Sequence, residues 1–146
     1  MTSKGTFVQL VTDLGSVPET TLLERLRAAA RLPLSARARL SVQLRDPELP
    51  VRELFRLGGE LRALTRELGV GLVINDRLDL ALLLGAEGVH LGRASVTVAA
   101  ARSLLGQSCF VSMSAHCVAD VVAAAEAGAN AALLSPVFAS PGKGAG

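Results

Sequence analysis

Short apolar runs alternate with longer helical patterns along the whole chain, and no hairpin turn separates one run from the next. Near-continuous apolar runs are typical of parallel strands that helices cover on the outside. Strands are predicted at Phe7–Thr12, Leu40–Leu44, Gly71–Ile74, Gly88–Leu91, Phe110–Ser114 and Ala131–Ser135. Helices are predicted at about Glu19–Arg31, Val51–Leu68, Leu78–Leu84, Val96–Leu104 and Val118–Ala127. The alternation therefore predicts an α/β fold built on a parallel sheet.

Glycine and proline mark the ends of these helical patterns. Gly69, Gly85, Gly106 and Gly128 each follow an apolar periodic stretch. Because glycine adopts the left-handed backbone conformation without a steric penalty, all four are predicted to end helices in that conformation. Pro50 stands directly before a predicted helix, where its fixed φ is compatible with a helix start.

Two parallel-sheet architectures compete, and the turn after the first strand decides between them. A dinucleotide-binding sheet needs a glycine-rich turn there, but Asp13 is followed by Leu-Gly-Ser, and the chain contains no P-loop motif. The sequence therefore favours a (β/α)8 TIM barrel. An eight-stranded barrel typically needs about 200 residues or more, and this chain has 146. The prediction is an incomplete barrel of one domain, residues 1–146, with six of eight strands and without the last two β/α units.

Composition excludes several classes of function. No apolar run is long enough to span a membrane, and the first residues lack the apolar core of a signal peptide, so a cytoplasmic location is expected. The net charge is only +2, and the chain has no Trp or Tyr and only four Phe, so nucleic-acid binding is not expected. Cys109 and Cys117 have no ligand-like spacing with a second pair and are interpreted as reduced thiols.

Polar side chains follow the predicted strands at the point where each strand ends. Because the carboxyl ends of parallel strands meet at one edge, these groups are expected to converge there. The groups, in strand order, are Thr12 and Asp13; Gln43, Arg45 and Asp46; Asn75 and Asp76; His90, Arg93 and Ser95; Ser112, Ser114 and His116; and Ser135, Ser140 and Lys143. Convergence from several strands is more informative than any single residue.

Each of these residues also admits a purely structural interpretation. Asp76 suits the cap of the helix that starts near Leu78, and His90 suits a hydrogen-bonded core histidine. Lys143 belongs either to a frayed tail or to a phosphate-binding lid. The planar guanidinium of Arg45 at a strand end suits phosphate. His116 has a side chain suited to proton transfer near neutral pH, or it merely enters the next helix.

Five segments, in order, resemble motifs of the thiamine phosphate synthase/TenI family. Any one of these motifs is weak, but five at plausible spacings indicate the family strongly. The likeness runs from Gln9 to Lys143, which is nearly the whole chain. The segments are Val42–Arg45, Ile74–Ala81, Gly88–Gly92, Ser112–His116 and Ser135–Lys143.

The resemblance implies a (β/α)8 barrel that acts in thiamine biosynthesis. In the synthase branch, a hydroxymethylpyrimidine diphosphate loses pyrophosphate, Mg²⁺ bridges the leaving group, and the nitrogen of a thiazole phosphate captures the pyrimidine cation. The resemblance then implies that the pyrimidine diphosphate binds at Gln43 and Arg45, pyrophosphate at Asn75 and Mg²⁺ at Asp76, with further substrate contacts from Ser114, Ser140 and Lys143.

Two departures from the synthase pattern point to the TenI branch. Pro47 stands where the synthase motif has a lysine, and Arg93, Ala94 and Ser95 stand where it has a second carboxylate for Mg²⁺. The resemblance to this branch implies a thiazole tautomerase in which His116 is the acid/base and no cofactor is required.

The main prediction is therefore a TenI-like tautomerase acting on thiazole phosphate. A Mg²⁺-dependent thiamine phosphate synthase and a non-catalytic, degenerate family member are kept as alternatives. The expected ligand is a phosphorylated thiazole or pyrimidine, with no nucleic acid and no membrane as partner. A six-stranded piece leaves two unpaired sheet edges, so a homo-oligomer that covers the open barrel edge is also anticipated.

Overall fold

The computed structural model describes residues 7–138, so the predictions for Ser140 and Lys143 lie outside the described residues. Within that range the strands are β1 (Val8–Val11), β2 (Leu40–Leu44), β3 (Gly71–Asn75), β4 (Gly88–Leu91), β5 (Phe110–Ala115) and β6 (Ala131–Leu134). The helices are α1 (Glu19–Ala28), α2 (Leu34–Arg37), α3 (Val51–Leu68), α4 (Leu78–Leu84), α5 (Val98–Leu105) and α6 (Val118–Glu126).

The six strands form a single parallel sheet in chain order, from β1 to β6. Neighbouring strands pair in continuous register, for example Asn75 opposite His90 and His90 opposite Ser112. With helices between successive strands, the sheet curls into a half-barrel, which confirms the predicted fold class. None of the helices within residues 7–138 is both long enough and apolar enough to cross a membrane.

The hydrophobic core lies between the sheet and its helices. Leu44, Ile74 and Val89 are fully buried, and so are Leu57 and Leu61 of α3. Because side chains alternate between the two faces of a strand, every second strand residue contributes to this core. Each such burial stabilises the fold by about 1.5–3 kcal/mol relative to an exposed side chain.

The opposite, concave face of the sheet carries polar side chains instead. Gln43 is 2% exposed, and its Nε2 donates to Oε1 of Gln9 at 2.7 Å. Nε2 of Gln9 in turn donates to Oγ of Ser41 at 3.2 Å. Hydrogen bonding offsets the cost of burying these groups. The interior of the half-barrel therefore has a polar surface that leads up to the carboxyl ends of the strands.

Helix ends follow the glycine pattern at three of the four predicted positions. Gly69 and Gly85 end α3 and α4 in the left-handed conformation, with φ of 67° and 58°. Gly128 follows the cap of α6 with φ of 80°. The prediction for Gly106 is wrong in detail, because its φ of 92° is combined with an extended ψ of 159°. There the chain turns directly toward β5 instead of closing a left-handed cap.

The bounds of α1, α5 and α6 differ from the predictions, α6 by ending at Glu126 and not at Ala127, and one short helix was not predicted. The first helix ends at Ala28 and continues as a 3₁₀ turn, Ala29–Arg31. The fifth begins at Val98 because the Thr97 hydroxyl accepts the Ala100 N–H at 3.1 Å and so caps the helix. The four-residue helix α2 was not predicted, since it is too short to show a hydrophobic period.

Candidate active site at the carboxyl ends of the strands

Residues singled out from the sequence follow all six strands, and four of these strand ends carry the side chains considered for the site. Arg45 directly follows β2, Asn75 ends β3 with Asp76 next to it, His90 lies in β4, and Ser114 and His116 are at the end of β5. The backbone N–H of Asp76 donates to the carbonyl of His90 at 2.9 Å, so the third and fourth strand ends are joined directly. All of these groups therefore belong to one edge of the half-barrel.

Thr12 fixes the backbone at Arg45. Its backbone N–H donates to the carbonyl of Gln43 at 3.0 Å. Its buried hydroxyl donates to the carbonyl of Arg45 and accepts the Arg45 N–H, both at 2.9 Å. The side chain of Arg45 is exposed, and within residues 7–138 its guanidinium has no hydrogen-bond or ion-pair partner. A cation on a fixed backbone, with five donors available, suits an anionic ligand.

Asp76 connects the ends of β3 and β4 instead of capping α4. Its Oδ1 accepts the Gly92 N–H at 2.9 Å and the Ser95 hydroxyl, and its Oδ2 accepts from Asn75 Nδ2 at 3.0 Å. The helix cap position belongs to Arg77 and has no side-chain cap bond, so the capping interpretation of Asp76 is wrong. The φ of Asp76 is 57°, a conformation that aspartate tolerates better than most residues.

Asp76 and Ser95 offer Mg²⁺ oxygen ligands, but only a few of them. Mg²⁺ commonly binds proteins through one or two carboxylates together with substrate phosphates. Asp76 supplies one carboxylate and Ser95 a neighbouring hydroxyl. Residues 7–138 contain no group of three or more His, Cys, Asp or Glu able to hold a metal ion. A divalent cation at Asp76 would therefore depend mainly on the oxygens of a bound phosphate.

His90 is a buried, fully hydrogen-bonded histidine, as its structural interpretation predicts. Its side chain is 6% exposed, and Nδ1 and Nε2 lie 2.9 Å from Oγ of Ser112 and Oγ of Ser114 respectively. Burial lowers the pKa of His90; the charge of Asp76 opposes this shift and that of Arg45 adds to it. The imidazole is therefore neutral at neutral pH, with one nitrogen donating and the other accepting.

His116 is exposed and is held from two sides. Its backbone N–H donates to Oδ2 of Asp120 at 2.8 Å, and Nδ1 donates to the carbonyl of Ser135 at 2.7 Å. Because a carbonyl oxygen only accepts, Nδ1 carries a proton in this bond, and in the neutral ring the lone pair is then on Nε2. The hydrogen bond from the His116 backbone also lowers the pKa of Asp120.

Two supporting residues were not singled out from the sequence. Asp120 anchors the loop that carries His116, and the available signal was an acidic residue in the first turn of α6. Gln9 engages the amide of Gln43, which consequently lies in the polar interior below the strand ends and not at their tips. No local sequence pattern predicts this role of Gln9, because its hydrogen-bond partner is 34 positions away.

The chain is similar to proteins of thiamine biosynthesis. A family model described as thiamine monophosphate synthase matches residues 8–145. A thiamine-phosphate synthase of Syntrophomonas wolfei is 40% identical over 134 residues, which are 92% of this chain and 62% of the relative. Another, from Roseiflexus sp. strain RS-1, is 35% identical over 97% of this chain and 58% of the relative.

A solved structure shows the same architecture. The thiamine phosphate pyrophosphorylase from Pyrococcus furiosus superposes with a TM-score of 0.75 at 28% identity, over 90% of this chain and 61% of that protein. This chain therefore spans between 58% and 62% of the length of these three proteins.

Proposed function

Because the chain belongs to the thiamine monophosphate synthase family, we propose that its strand-end site serves a thiamine-phosphate synthase reaction. The substrates are a hydroxymethylpyrimidine diphosphate and a thiazole phosphate, and the products are thiamine phosphate and pyrophosphate. The names of the relatives support this reaction, which the sequence pattern ranked behind the tautomerase. The observation that carries the proposal is the exposed Arg45 guanidinium on the edge that also bears Asp76, His90 and Ser114.

The chemistry of the reaction matches what these groups offer. When the bond between the pyrimidine methylene carbon and the diphosphate oxygen breaks, negative charge develops on the departing diphosphate. The guanidinium of Arg45, whose backbone is fixed by Thr12 at this edge, would stabilise the developing charge by binding the departing diphosphate. Mg²⁺, held by Asp76 and Ser95 together with the diphosphate, would supply further positive charge there. The thiazole nitrogen then bonds to the methylene carbon that the diphosphate has left.

One observation supports a second candidate, the TenI-like tautomerase. With Nδ1 donating to the carbonyl of Ser135, the neutral ring of His116 carries its lone pair on Nε2 at the same edge. A group of this kind can remove a proton from a thiazole phosphate and return it at another ring atom, which is general acid–base catalysis. This reaction requires no metal ion. The two candidates therefore depend on different residues: the tautomerase on His116, and the synthase on the groups that bind the diphosphate.

The deciding experiment incubates the full chain with both synthase substrates, with and without Mg²⁺, and measures thiamine phosphate. We expect product formation that requires Mg²⁺. Arg45→Ala should weaken binding of inorganic pyrophosphate about 10- to 100-fold, the usual effect of losing a charged hydrogen bond. Arg39→Ala is the matched control, because this arginine precedes β2 and lies at the opposite end of the strand.

Two results would contradict the synthase proposal. One is an unchanged pyrophosphate affinity in Arg45→Ala relative to Arg39→Ala. The other is the absence of thiamine phosphate together with isomerisation of thiazole phosphate that disappears in His116→Ala, which would establish the tautomerase. A loss of about 10²–10⁴ in rate is expected when a positioned acid/base is removed.

A further inference from the structure

Three side chains in hydrogen-bond contact lead from the core to the candidate site. Ser112 is fully buried, His90 is nearly so, and Ser114 is half-buried at the end of β5. The two serine hydroxyls lie 2.9 Å from the two ring nitrogens of His90. Because both nitrogens are engaged, the ring cannot turn without losing two hydrogen bonds.

The surroundings of Ser112 favour one of the two possible directions for these hydrogen bonds. Its hydroxyl has a second acceptor within reach, the carbonyl of Val89 at 3.5 Å. When Ser112 donates to that carbonyl, its oxygen accepts the proton of His90 Nδ1 and every polar atom is satisfied. Nε2 of the neutral ring then carries a lone pair and accepts the hydroxyl proton of Ser114. That leaves Ser114 with only its oxygen lone pairs to offer to a ligand.

We propose that His90 is a positioning residue that fixes the hydroxyl of Ser114 as a hydrogen-bond acceptor in the site. A phosphate oxygen carries no proton to donate to it, so Ser114 faces a heterocycle bearing an N–H group and not the diphosphate. This inference rests on the proposed function for the identity of the substrate, and it divides the site into two parts. Arg45 binds the anion, and the His90–Ser114 pair recognises the nitrogen-bearing ring.

The first test needs no substrate and therefore does not depend on the proposed function. Nitrogen-15 NMR of the full chain, labelled at histidine and recorded at neutral pH, reports which ring nitrogen of His90 is protonated. We expect the proton on Nδ1 and a bare Nε2 whose resonance shifts in Ser114→Ala. A proton on Nε2 would overturn the proposal, because Ser114 would then accept from the ring and be free to donate.

The second test uses two amide variants of His90. It distinguishes a histidine that positions the Ser114 hydroxyl from one that only fills the core. The amide of His90→Gln reaches the place of Nε2 and can still accept from Ser114, whereas that of His90→Asn reaches only the place of Nδ1. We expect His90→Asn and Ser114→Ala to weaken binding of hydroxymethylpyrimidine diphosphate equally, by about 3- to 10-fold. His90→Gln should restore most of this loss, and inorganic pyrophosphate should bind all three variants alike.

Two outcomes of the second test would overturn the proposal. If His90→Gln and His90→Asn lose the same affinity in proportion to their thermal stability, the histidine only fills the core. If pyrophosphate affinity falls in parallel with that of the pyrimidine diphosphate, Ser114 serves the anion. A wild-type chain that binds neither compound refutes the proposed function instead, and the NMR result then decides the hydrogen-bond direction alone.

Discussion

At the residue scale, one carboxylate joins two strand ends and is also, within residues 7–138, the single carboxylate at the candidate cation position. Asp76 accepts from Gly92, Ser95 and Asn75, so its geometry is fixed before any ligand binds. The hydroxyl of Ser95 occupies the position where a second carboxylate would strengthen binding of a hard cation. We therefore predict that the affinity of this position for Mg²⁺ depends on residue 95.

Replacing Ser95 with Asp should create a stronger Mg²⁺ site. Without metal, the new carboxylate repels Asp76 and loses a hydrogen bond to a charged group, which should destabilise the fold by about 1–3 kcal/mol. With Mg²⁺ the two carboxylates share the cation, so the thermal midpoint should rise more than it does in the wild type. Circular dichroism melts with and without Mg²⁺ measure this. Ser95→Asn is the neutral control, and equal Mg²⁺ shifts in all three proteins would contradict the prediction.

Asp120 should make the loop that carries His116 sensitive to acid. Its pKa is lowered chiefly by the His116 backbone N–H. A carboxyl group with a lowered folded-state pKa contributes stability that is fully present above its ordinary value, near 3.8, and lost as the pH falls through the folded-state value. The thermal midpoint of the wild type should therefore fall toward that of Asp120→Asn below about pH 4. Glu126→Gln, at the other end of α6, is the control, and a constant difference between wild type and Asp120→Asn at all pH values would refute the assignment.

At the scale of helices and strands, the sequence predicts what is long and periodic and misses what depends on tertiary contacts. The predicted bounds of α3, α4, β2 and β4 agree with the structure, because each has an unbroken apolar period that ends at a glycine or a polar residue. The strand-end positions of the site residues followed from the same pattern. The partners of Asp76 and the anchoring of His116 did not, since they join residues 16 and 19 positions apart.

Two glycines, one in a strand and one in a helix, should respond to alanine in opposite ways. A Cβ on Gly88 of β4 would clash with the backbone carbonyl oxygen of Phe110, so the two strands would have to separate. Such overpacking typically costs about 1–3 kcal/mol. A Cβ on Gly59 of α3 meets nothing within 4 Å, and alanine there should stabilise the helix by about 0.5–1 kcal/mol. Urea unfolding of Gly88→Ala and Gly59→Ala measures both, and similar midpoints for the two variants would contradict the packing described at β4.

At the scale of the whole molecule, β1 and β6 each pair on one side only within residues 7–138. The edge strand β1 exposes apolar side chains on both of its faces: Val8 and Leu10 on one face and Val11 on the other are all more than 40% exposed. A sheet edge with apolar flanks is a template for pairing with another chain. We therefore predict that the anticipated homo-oligomer forms through this edge.

A lysine at position 10 should weaken self-association of the chain. Leu10 lies in the middle of the exposed strand β1, and a charge there costs desolvation in any contact that covers the edge. Sedimentation velocity over a range of concentrations should show a concentration-dependent oligomer in the wild type and a shift toward monomer in Leu10→Lys. Leu83→Lys is the matched control, because Leu83 is exposed on α4, away from the edge strand. If Leu83→Lys dissociates the oligomer and Leu10→Lys does not, the contact is made by the outer helices and β1 remains uncovered. A wild-type chain that stays monomeric at every concentration would mean that its own edge does not recruit a second copy.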